Sequence, residues 1–357
     1  MDIAIIGAGP IGCYLGQLLK QHGFSHFILE EHPEIGVPSH CAGLVGKSFF
    51  KDSKIPLPEN VINNILNGAI ISYKNHRFIL RRERVAFVID RKKLDRELSL
   101  GLNIKKEVKL LNMERKNNRY ILYTNKGNFC SDIVIGADGA TSLTRRLASL
   151  KLKPIYYKGI QVRIKKKVEP RDMVQVDFIK PFLFFSWIIP EGDEIVRVGN
   201  ISPNPAQNLK LFLNKLKFQG EIIEKMGGVL SIGYGQTFKD NIAVVGDAAC
   251  QVKPLSGGGL YYGMRCAEIL ADCIVRENIS SYDGEWKELL GGEIRSALKI
   301  RKVLERRSLS FLEKLFDIAR KNSHIIEQIA DFERHSFSVF NVIKRLGIII
   351  PGIFLSR

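Results

Sequence analysis

The chain has 357 residues, enough for a large core and two or three structural parts, and its hydrophobic (45%) and charged (25%) fractions exclude a disordered chain. Its formal charge of +17 favours anionic partners such as nucleic acid, phosphorylated small molecules or an anionic membrane surface, with a merely solvated basic surface as the alternative. The sequence has no zinc-ligand spacing, recognition motif or long basic arm, so we expect no nucleic-acid partner.

The first thirty residues predict a βαβ unit that binds a dinucleotide. An apolar run from Ile3 to Ile6 fits a strand buried on both faces. Gly7, Gly9 and Gly12 follow as G-x-G-x-x-G, which allows a tight turn, close approach of a pyrophosphate and packing of helix on strand. A second apolar strand ends at Glu30, an acid that suits ribose hydroxyls and disfavours a 2′-phosphate. The unit therefore indicates FAD or NAD rather than NADP, with a turn that binds nothing as the alternative.

A proline- and glycine-rich loop follows, from Glu31 to Gly46. It leaves the carboxyl end of the second strand, where open α/β sheets hold their ligands. Cys41 therefore lies beside the predicted cofactor, and Ala42 and Gly43 make the backbone around it thin. Cys41 is either a small buried filler or a group that touches the reactive part of the cofactor.

The next segment predicts short strands and then a helix. Residues 71–88 alternate in polarity and carry three arginines, which suggests short strands on a separate sheet. Asp90 fits the N-cap of a helix that continues to about Leu98. Arg91 falls in the first turn, where the helix dipole disfavours a cation, so we expect an anion or the cofactor nearby.

Another buried strand, Ile133 to Ile135, leads into a glycine-rich turn that carries Asp138. This aspartate either caps its own turn or makes a second cofactor contact. Later, Asp247 follows a strand at 242–245, and the glycines at 257–259 open a helix. Three glycines at a helix start cost stability, and we expect that they are there because a ligand approaches the backbone closely.

Between these blocks, residues 155–200 are rich in predicted strands. The stretch from Pro181 to Pro190 concentrates aromatic residues. It is either a hydrophobic sheet packed on the core or the wall of an apolar substrate cavity.

The chain from Tyr282 onward predicts basic helices, and residues 346–355 form an apolar run that is too short to span a bilayer. That run either docks on the core or anchors on anionic lipid. Six scattered cysteines without a C-x-x-C pair speak against a disulfide scaffold, and the N-terminus lacks the features of a signal peptide. We therefore expect an intracellular protein.

Four blocks resemble the geranylgeranyl reductase family of FAD-dependent oxidoreductases, within the p-hydroxybenzoate-hydroxylase-like flavoproteins. The blocks are I-I-G-A-G-P-I-G, P-S-H-C-A-G, V-I-D-R-K-K-L-D and G-D-A-A-C-Q-V-K-P-L-S-G-G-G. The resemblance runs from Met1 to about Leu270. It implies a Rossmann-like FAD-binding domain (1–150, with a short insert near 70–85, and 239–280), an inserted α+β substrate domain (151–238) and a C-terminal helical region (281–357).

The resemblance also implies site residues. Ile11 and Glu30 would contact the adenosine half of FAD. Arg91 and Asp247 would contact its ribityl and phosphate part. Cys41, Ala42, Gly259 and Leu260 would lie along the isoalloxazine, with Gly258 beside them and Leu44 where relatives often carry glycine. The family's aromatic block departs here to Phe185-Ser186-Trp187-Ile188-Ile189-Pro190, and we expect Phe185, Trp187 and Pro190 to line the substrate cavity.

The implied activity is reduction of isolated prenyl double bonds, on digeranylgeranylglycerol phospholipids, with Cys41 as the catalytic candidate and no metal. An external electron donor would be required: ferredoxin, NAD(P)H or a deazaflavin. The expected location is the cytoplasm, with peripheral contact with the anionic inner face of the membrane as an extension. Rival interpretations are a flavin monooxygenase, an electron-transfer flavoprotein at a membrane and a non-enzymatic lipid-binding protein.

Overall fold

The computed structural model describes residues 1–347 and confirms the predicted class: a Rossmann-like FAD-binding fold, a mixed second region and C-terminal helices. The strands are β1 (Ile3–Ile6), β2 (His26–Glu30), β3 (Leu44–Gly46), β4 (Ile62–Tyr73), β5 (His76–Ile89), β6 (Ile104–Lys106), β7 (Leu110–Lys116), β8 (Arg119–Thr124), β9 (Gly127–Ser131), β10 (Ile133–Gly136), β11 (Ile155–Lys165), β12 (Val174–Lys180), β13 (Phe184–Pro190), β14 (Ile195–Ile201), β15 (Glu221–Ile232), β16 (Phe238–Lys239) and β17 (Ile242–Val244). The helices are α1 (Pro10–Gln21), α2 (Ser48–Lys51), α3 (Arg91–Ser99), α4 (Leu143–Leu147), α5 (Pro205–Lys215), α6 (Leu260–Val275), α7 (Tyr282–Trp286), α8 (Gly292–Glu305), α9 (Leu309–Lys321), α10 (Ser323–Ile329) and α11 (His335–Arg345).

The nucleotide-binding sheet has the strand order β16-β17-β10-β1-β2-β6, and all its pairings are parallel except β16 with β17. Along β1, Ile3 and Ile5 pack with α1 and α6 on one face. Ala4 and Ile6 pack on the other face with residues of the small sheet β7-β8-β9. Because helices cover one face of β1 and the small sheet covers the other, all four residues of the strand are apolar.

The second sheet has eight strands in the order β15-β11-β14-β13-β12-β4-β5-β3. It corrects one expectation: residues 71–88, predicted as short strands on a separate sheet, belong to two long strands of this sheet, β4 and β5. They belong to the same sheet as the strands of residues 155–232, because β4 pairs with β12 in parallel. Alternation along one strand cannot reveal which distant strand completes the sheet.

The C-terminal helices cover one face of the second sheet. Leu183, just before β13, packs with Ile300 of α8, Leu312 of α9 and Ile343 of α11. Within residues 1–347, no helix combines the length and the apolar character needed to cross a membrane. The apolar run predicted at 346–355 lies almost entirely outside the described residues, so neither alternative for it is tested.

Candidate functional site

One cavity of about 1170 Å³ extends from the turn after β1 to the C-terminal helices. Its volume exceeds the usual range for a pocket that holds one small ligand, about 300–1,000 Å³. It lies where the carboxyl ends of β1 and β2 meet the edge of the second sheet. There is therefore room for an extended dinucleotide and part of a second ligand.

The glycine turn forms one end of this cavity. Gly7 has φ +101°, and a Cβ there would lie 2.6 Å from the Ala137 carbonyl oxygen, so only glycine fits. Gly9 is the N-cap of α1 and has no atom within 4 Å of its Cβ position, which leaves its backbone open to a phosphate. Gly12 is not among the described residues that line the cavity. A Cβ on it would overlap the Gly7 carbonyl oxygen, so Gly12 lets α1 pack on the turn.

Glu30 also lines the cavity, at the end of β2. Its Oε2 accepts the Ala8 N–H at 2.7 Å, and its Oε1 accepts the His32 N–H at 2.9 Å. These bonds fix the carboxylate at the glycine turn. His32 Nδ1 also lies 2.7 Å from Oε1, and because a carboxylate has about four acceptor positions, one remains for a ribose hydroxyl.

Ile11 and Asp138 border the same end of the cavity in different ways. The Ile11 side chain packs against Gly246, whose Cβ position lies 3.3 Å from it. The Asp138 carboxylate accepts the Ser142 hydroxyl at 2.5 Å and the Thr144 N–H at 2.9 Å. Asp138 thus caps its own turn, one of the two predicted alternatives, while the residue stays at the cavity wall.

The residues that the sequence assigned to the flavin ring and its ribityl chain all line this one cavity. They are Cys41, Ala42, Leu44, Arg91, Asp247, Gly258, Gly259 and Leu260. A Cβ on Gly259, the N-cap of α6, would lie 2.6 Å from Asp247 Oδ1. The glycine therefore allows the aspartate and the helix start to share one wall.

A fixed cation lies beside Cys41. The Arg91 side chain is 12% exposed, and its Nη2 lies 3.1 Å from both carboxylate oxygens of Asp95, one turn later on α3. Burial acts to lower the pKa of Arg91, yet the net direction is upward because Asp95 and the Cys41 sulfur lie close to the guanidinium. Burial raises the pKa of Asp247, and Arg91 partly offsets this effect. Arg91 stays charged next to Cys41, and the Asp95 carboxylate offsets the unfavourable position of this cation in the first turn of a helix.

Sequence reasoning missed the residue that holds the Cys41 loop. Arg197 is 4% exposed and donates to the Ala42 carbonyl at 2.6 Å and to the Ile89 carbonyl at 3.0 Å. Glu191 binds this guanidinium at 2.8 Å. The available signal was an arginine between valines in an otherwise apolar strand, since a buried arginine needs partners.

The aromatic strand β13 supplies one wall of the cavity. Phe185, Trp187 and Ile189 line it, and the Trp187 Nε1–H donates to Gln161 Oε1 at 2.8 Å. Pro190, predicted to line the cavity, is not among its described lining residues, so that expectation is wrong. Side chains alternate along a strand, and Pro190 has the opposite parity to the three that face inward.

Helices α9, α10 and α11 form the opposite wall, which the sequence did not predict. Their contributions are apolar: Leu315, Ile318, Ile326, Val339, Val342 and Ile343. Sheet residues such as Leu66 and Val176 face them across the cavity. The arrangement makes an apolar compartment that continues from the ring end.

Comparisons with known proteins agree with this geometry. The FAD binding domain family matches residues 1–46. An uncharacterized protein of Methanocaldococcus jannaschii is 35% identical, over 97% of this chain and 96% of its own. The digeranylgeranylglycerophospholipid reductase of Methanothrix thermoacetophila is 26% identical, over 88% of this chain and 90% of its own. The chain belongs to the geranylgeranyl reductase family of FAD-dependent oxidoreductases. A geranylgeranyl bacteriochlorophyll reductase-like protein from Thermoplasma acidophilum has the same fold, with a TM-score of 0.81 at 21% identity and coverage of 96% and 95% of the two chains.

FAD is the cofactor of this reductase-family protein, as predicted. The residues present fit it: an open glycine turn for a pyrophosphate, an anchored acid for a ribose, and a glycine-lined helix start further along the same cavity. The individual contacts assigned to FAD stay predictions.

Proposed function

We propose that the protein reduces isolated double bonds of geranylgeranyl chains, with digeranylgeranylglycerol phospholipids as its substrates. The observation that carries the proposal is the apolar compartment between the second sheet and helices α9–α11, which is continuous with the cavity wall around Cys41 and Gly259. The printed name of the Methanothrix relative adds support.

The chemistry suits an apolar, rigid site. An isolated alkene has no carbonyl to polarise, so catalysis depends mainly on position. FAD, when bound and reduced, would supply the hydride for one alkene carbon, and the protein would have to bring a proton to the other. Trp187, held by Gln161, and Phe185 would hold the chain, and Cys41 would position the alkene or relay the proton beside Arg91.

Two arginines at the rim fit a phosphorylated head group. Arg81 and Arg82 of β5 line the cavity and are exposed. No carboxylate in the described part of the chain forms an ion pair with either guanidinium. Cations at the entrance of an apolar compartment would bind the phosphate while the prenyl tail lies inside. The same charges favour contact with an anionic membrane surface.

The test is to reduce the purified protein with dithionite, add a geranylgeranylated phospholipid under anaerobic conditions and follow the lipid by mass spectrometry. Dithionite replaces the natural electron donor, for which ferredoxin, NAD(P)H and a deazaflavin are the candidates. Gain of hydrogen in pairs is expected. An unchanged lipid would refute the proposal, and oxygen uptake coupled to an oxygenated product would show a monooxygenase instead.

Cys41→Ala should keep FAD bound and sharply lower the rate of lipid reduction, because the sulfur lies on the cavity wall between Arg91 and the Gly43 N–H, 3.3 Å away. The control is Cys130→Ala, which removes an exposed cysteine outside the cavity. FAD content from the absorbance spectrum and single-turnover rates measure the two effects. Equal rates in both variants would show that Cys41 is a filler.

A further inference from the structure

A buried lysine lies against the glycines that open α6. The Lys253 N–H donates to the Gly258 carbonyl at 2.9 Å, and the Gly257 N–H donates to the Lys253 carbonyl at 2.8 Å. The side chain, 6% exposed, folds back over this turn, so that Nζ lies 3.6 Å from the Cβ position of Gly258. Lys253 and Gly258 line the same cavity. The ammonium group is therefore part of the wall where the flavin ring is predicted.

The C-terminal region supplies the counter-charge. Lys253 Nζ donates to the Phe332 carbonyl at 2.8 Å, lies 4.4 Å from the centre of the Phe332 ring, and forms an ion pair with Glu333 Oε2 at 2.7 Å. The Tyr262 hydroxyl of α6 donates to the Glu333 carbonyl at 2.7 Å and fixes the segment. Glu333 Oε1 is buried and has no hydrogen-bond partner within residues 1–347.

The other charged groups that act on this pair are acidic: Asp331, Glu293 and Asp52. Burial lowers the pKa of Lys253, and Glu333, Asp331 and Glu293 oppose that effect. Burial raises the pKa of Glu333, against the influence of Lys253. Burial and Lys253 together lower the pKa of His335 to about 3, so His335 is neutral near pH 7. In a site with little water, each of the two charges acts strongly on a neighbouring ring.

We propose that Lys253 and Glu333 set the reduction potential of the flavin, an inference that rests on the ring position assumed in the proposed function. Two-electron reduction adds electron density to the pyrimidine edge of the ring. A cation near that edge stabilises the reduced form, and a carboxylate destabilises it. The lysine therefore raises the potential, and the glutamate limits the rise.

The experiment measures the midpoint potential of the FAD-loaded protein against reference dyes. Lys253→Met should shift the oxidised-to-reduced equilibrium toward oxidised FAD by about tenfold or more, which is about 30 mV or more for a two-electron couple. Glu333→Gln should shift the potential in the opposite direction. The affinity of the oxidised flavin for sulfite, which a nearby cation also promotes, should follow the same order.

The matched control is Lys287→Met. Lys287 is a half-buried lysine that pairs with Asp283 at 2.6 Å and lies 5.5 Å from the Tyr234 ring, and it does not line the cavity. This variant should keep the wild-type potential. If Lys253→Met loses FAD, two other variants still decide the question. Lys253→Arg keeps the charge and should keep the potential, and Glu333→Gln should shift it.

The inference would be overturned if the midpoint potentials of Lys253→Met and Glu333→Gln equalled that of the wild type, or if both shifted in the same direction. The ion pair would then only hold the C-terminal segment in place. The outcome is independent of substrate. Opposite shifts in a protein that fails to reduce prenyl lipid would sustain this inference and refute the proposed function. If the wild-type protein reduces prenyl lipid but neither variant changes the midpoint potential, the proposed function is sustained and this inference is refuted.

Discussion

Glu191→Gln should weaken both the fold and the loop that carries Cys41. The Glu191 side chain is 4% exposed and lies between two arginines, Arg163 at 2.8 Å and Arg197 at 2.8 Å. Arg197 in turn holds the Ala42 carbonyl. Loss of the carboxylate removes the charge that neutralises a buried guanidinium, which is a costly change.

The magnitude follows from the downward shift in the pKa of Glu191. Burial acts to raise its pKa, but Arg197 and Arg163 outweigh burial and lower it from 4.5 to about 2. At about 1.36 kcal/mol per pH unit, this interval corresponds to about 3 kcal/mol of stabilisation. Because the pKa is depressed in the folded state, the stabilisation is present above pH 4.5 and is lost as the pH falls toward 2.

The assay is urea unfolding of wild type and Glu191→Gln at several pH values. The difference in the free energy of unfolding should be about 3 kcal/mol near pH 6 and should shrink toward pH 2, and FAD should dissociate more readily from the variant. Glu285→Gln breaks an exposed pair with Arg276 and should cost no more than about 1 kcal/mol. A difference that stays constant from pH 6 to pH 2 would refute the reasoning.

Three further changes test other parts of the site. Gly12→Ala should abolish FAD binding, because the added methyl group overlaps the glycine turn; absorbance of the purified protein measures this. Gly199→Ala should lower turnover of long prenyl chains more than of short ones, because its Cβ would overlap the Trp187 indole and push it into the cavity. Glutamate at both Arg81 and Arg82 should raise KM for phospholipid with kcat little changed, and should weaken binding to anionic vesicles.

Two of these changes have a control variant, and short prenyl chains serve as the internal control for Gly199→Ala. Gly284→Ala adds a methyl group where no atom lies within 4 Å and should leave FAD content unchanged. Charge reversal at Arg115 and Lys116, exposed on β7, alters net charge equally but away from the cavity rim. If this pair weakens phospholipid use as much as the change at Arg81 and Arg82, the head-group site is wrong. Normal FAD content in Gly12→Ala, or equal losses for all chain lengths in Gly199→Ala, would contradict the packing argument.

Short-range rules recovered the nucleotide end of the molecule. The apolar strand, the positive φ of Gly7 and the acid at the end of β2 all follow from local sequence. Asp90 caps α3 as predicted, because its carboxylate accepts the Lys93 N–H at 3.0 Å. Where a residue's role depends on neighbours within a few positions, the pattern was sufficient.

The parts that depend on distant pairing were not predictable in the same way. Arg197 reaches the Ala42 and Ile89 carbonyls, 155 and 108 residues earlier in the chain, only because the second sheet meets the Cys41 loop. Lys253 meets Glu333 because the C-terminal segment folds back over the start of α6. Pro190 faces away from the cavity because side chains alternate along a strand. A shift of one residue along the strand would reverse that direction. The spacing of residues along a single sequence does not reveal such contacts.

The cavity reaches exposed residues beside the glycine turn, among them Glu31, and on the second sheet, among them Arg82 and Val229. Under the proposed function the cofactor fills the part at the glycine turn, and a lipid whose phosphate is held by Arg81 and Arg82 extends its tail into the remaining part. The anchored head group would then fix how far the prenyl tail extends into the cavity. Successive double bonds would then be saturated in a fixed sequence, so that partly reduced lipids share one pattern of remaining unsaturation.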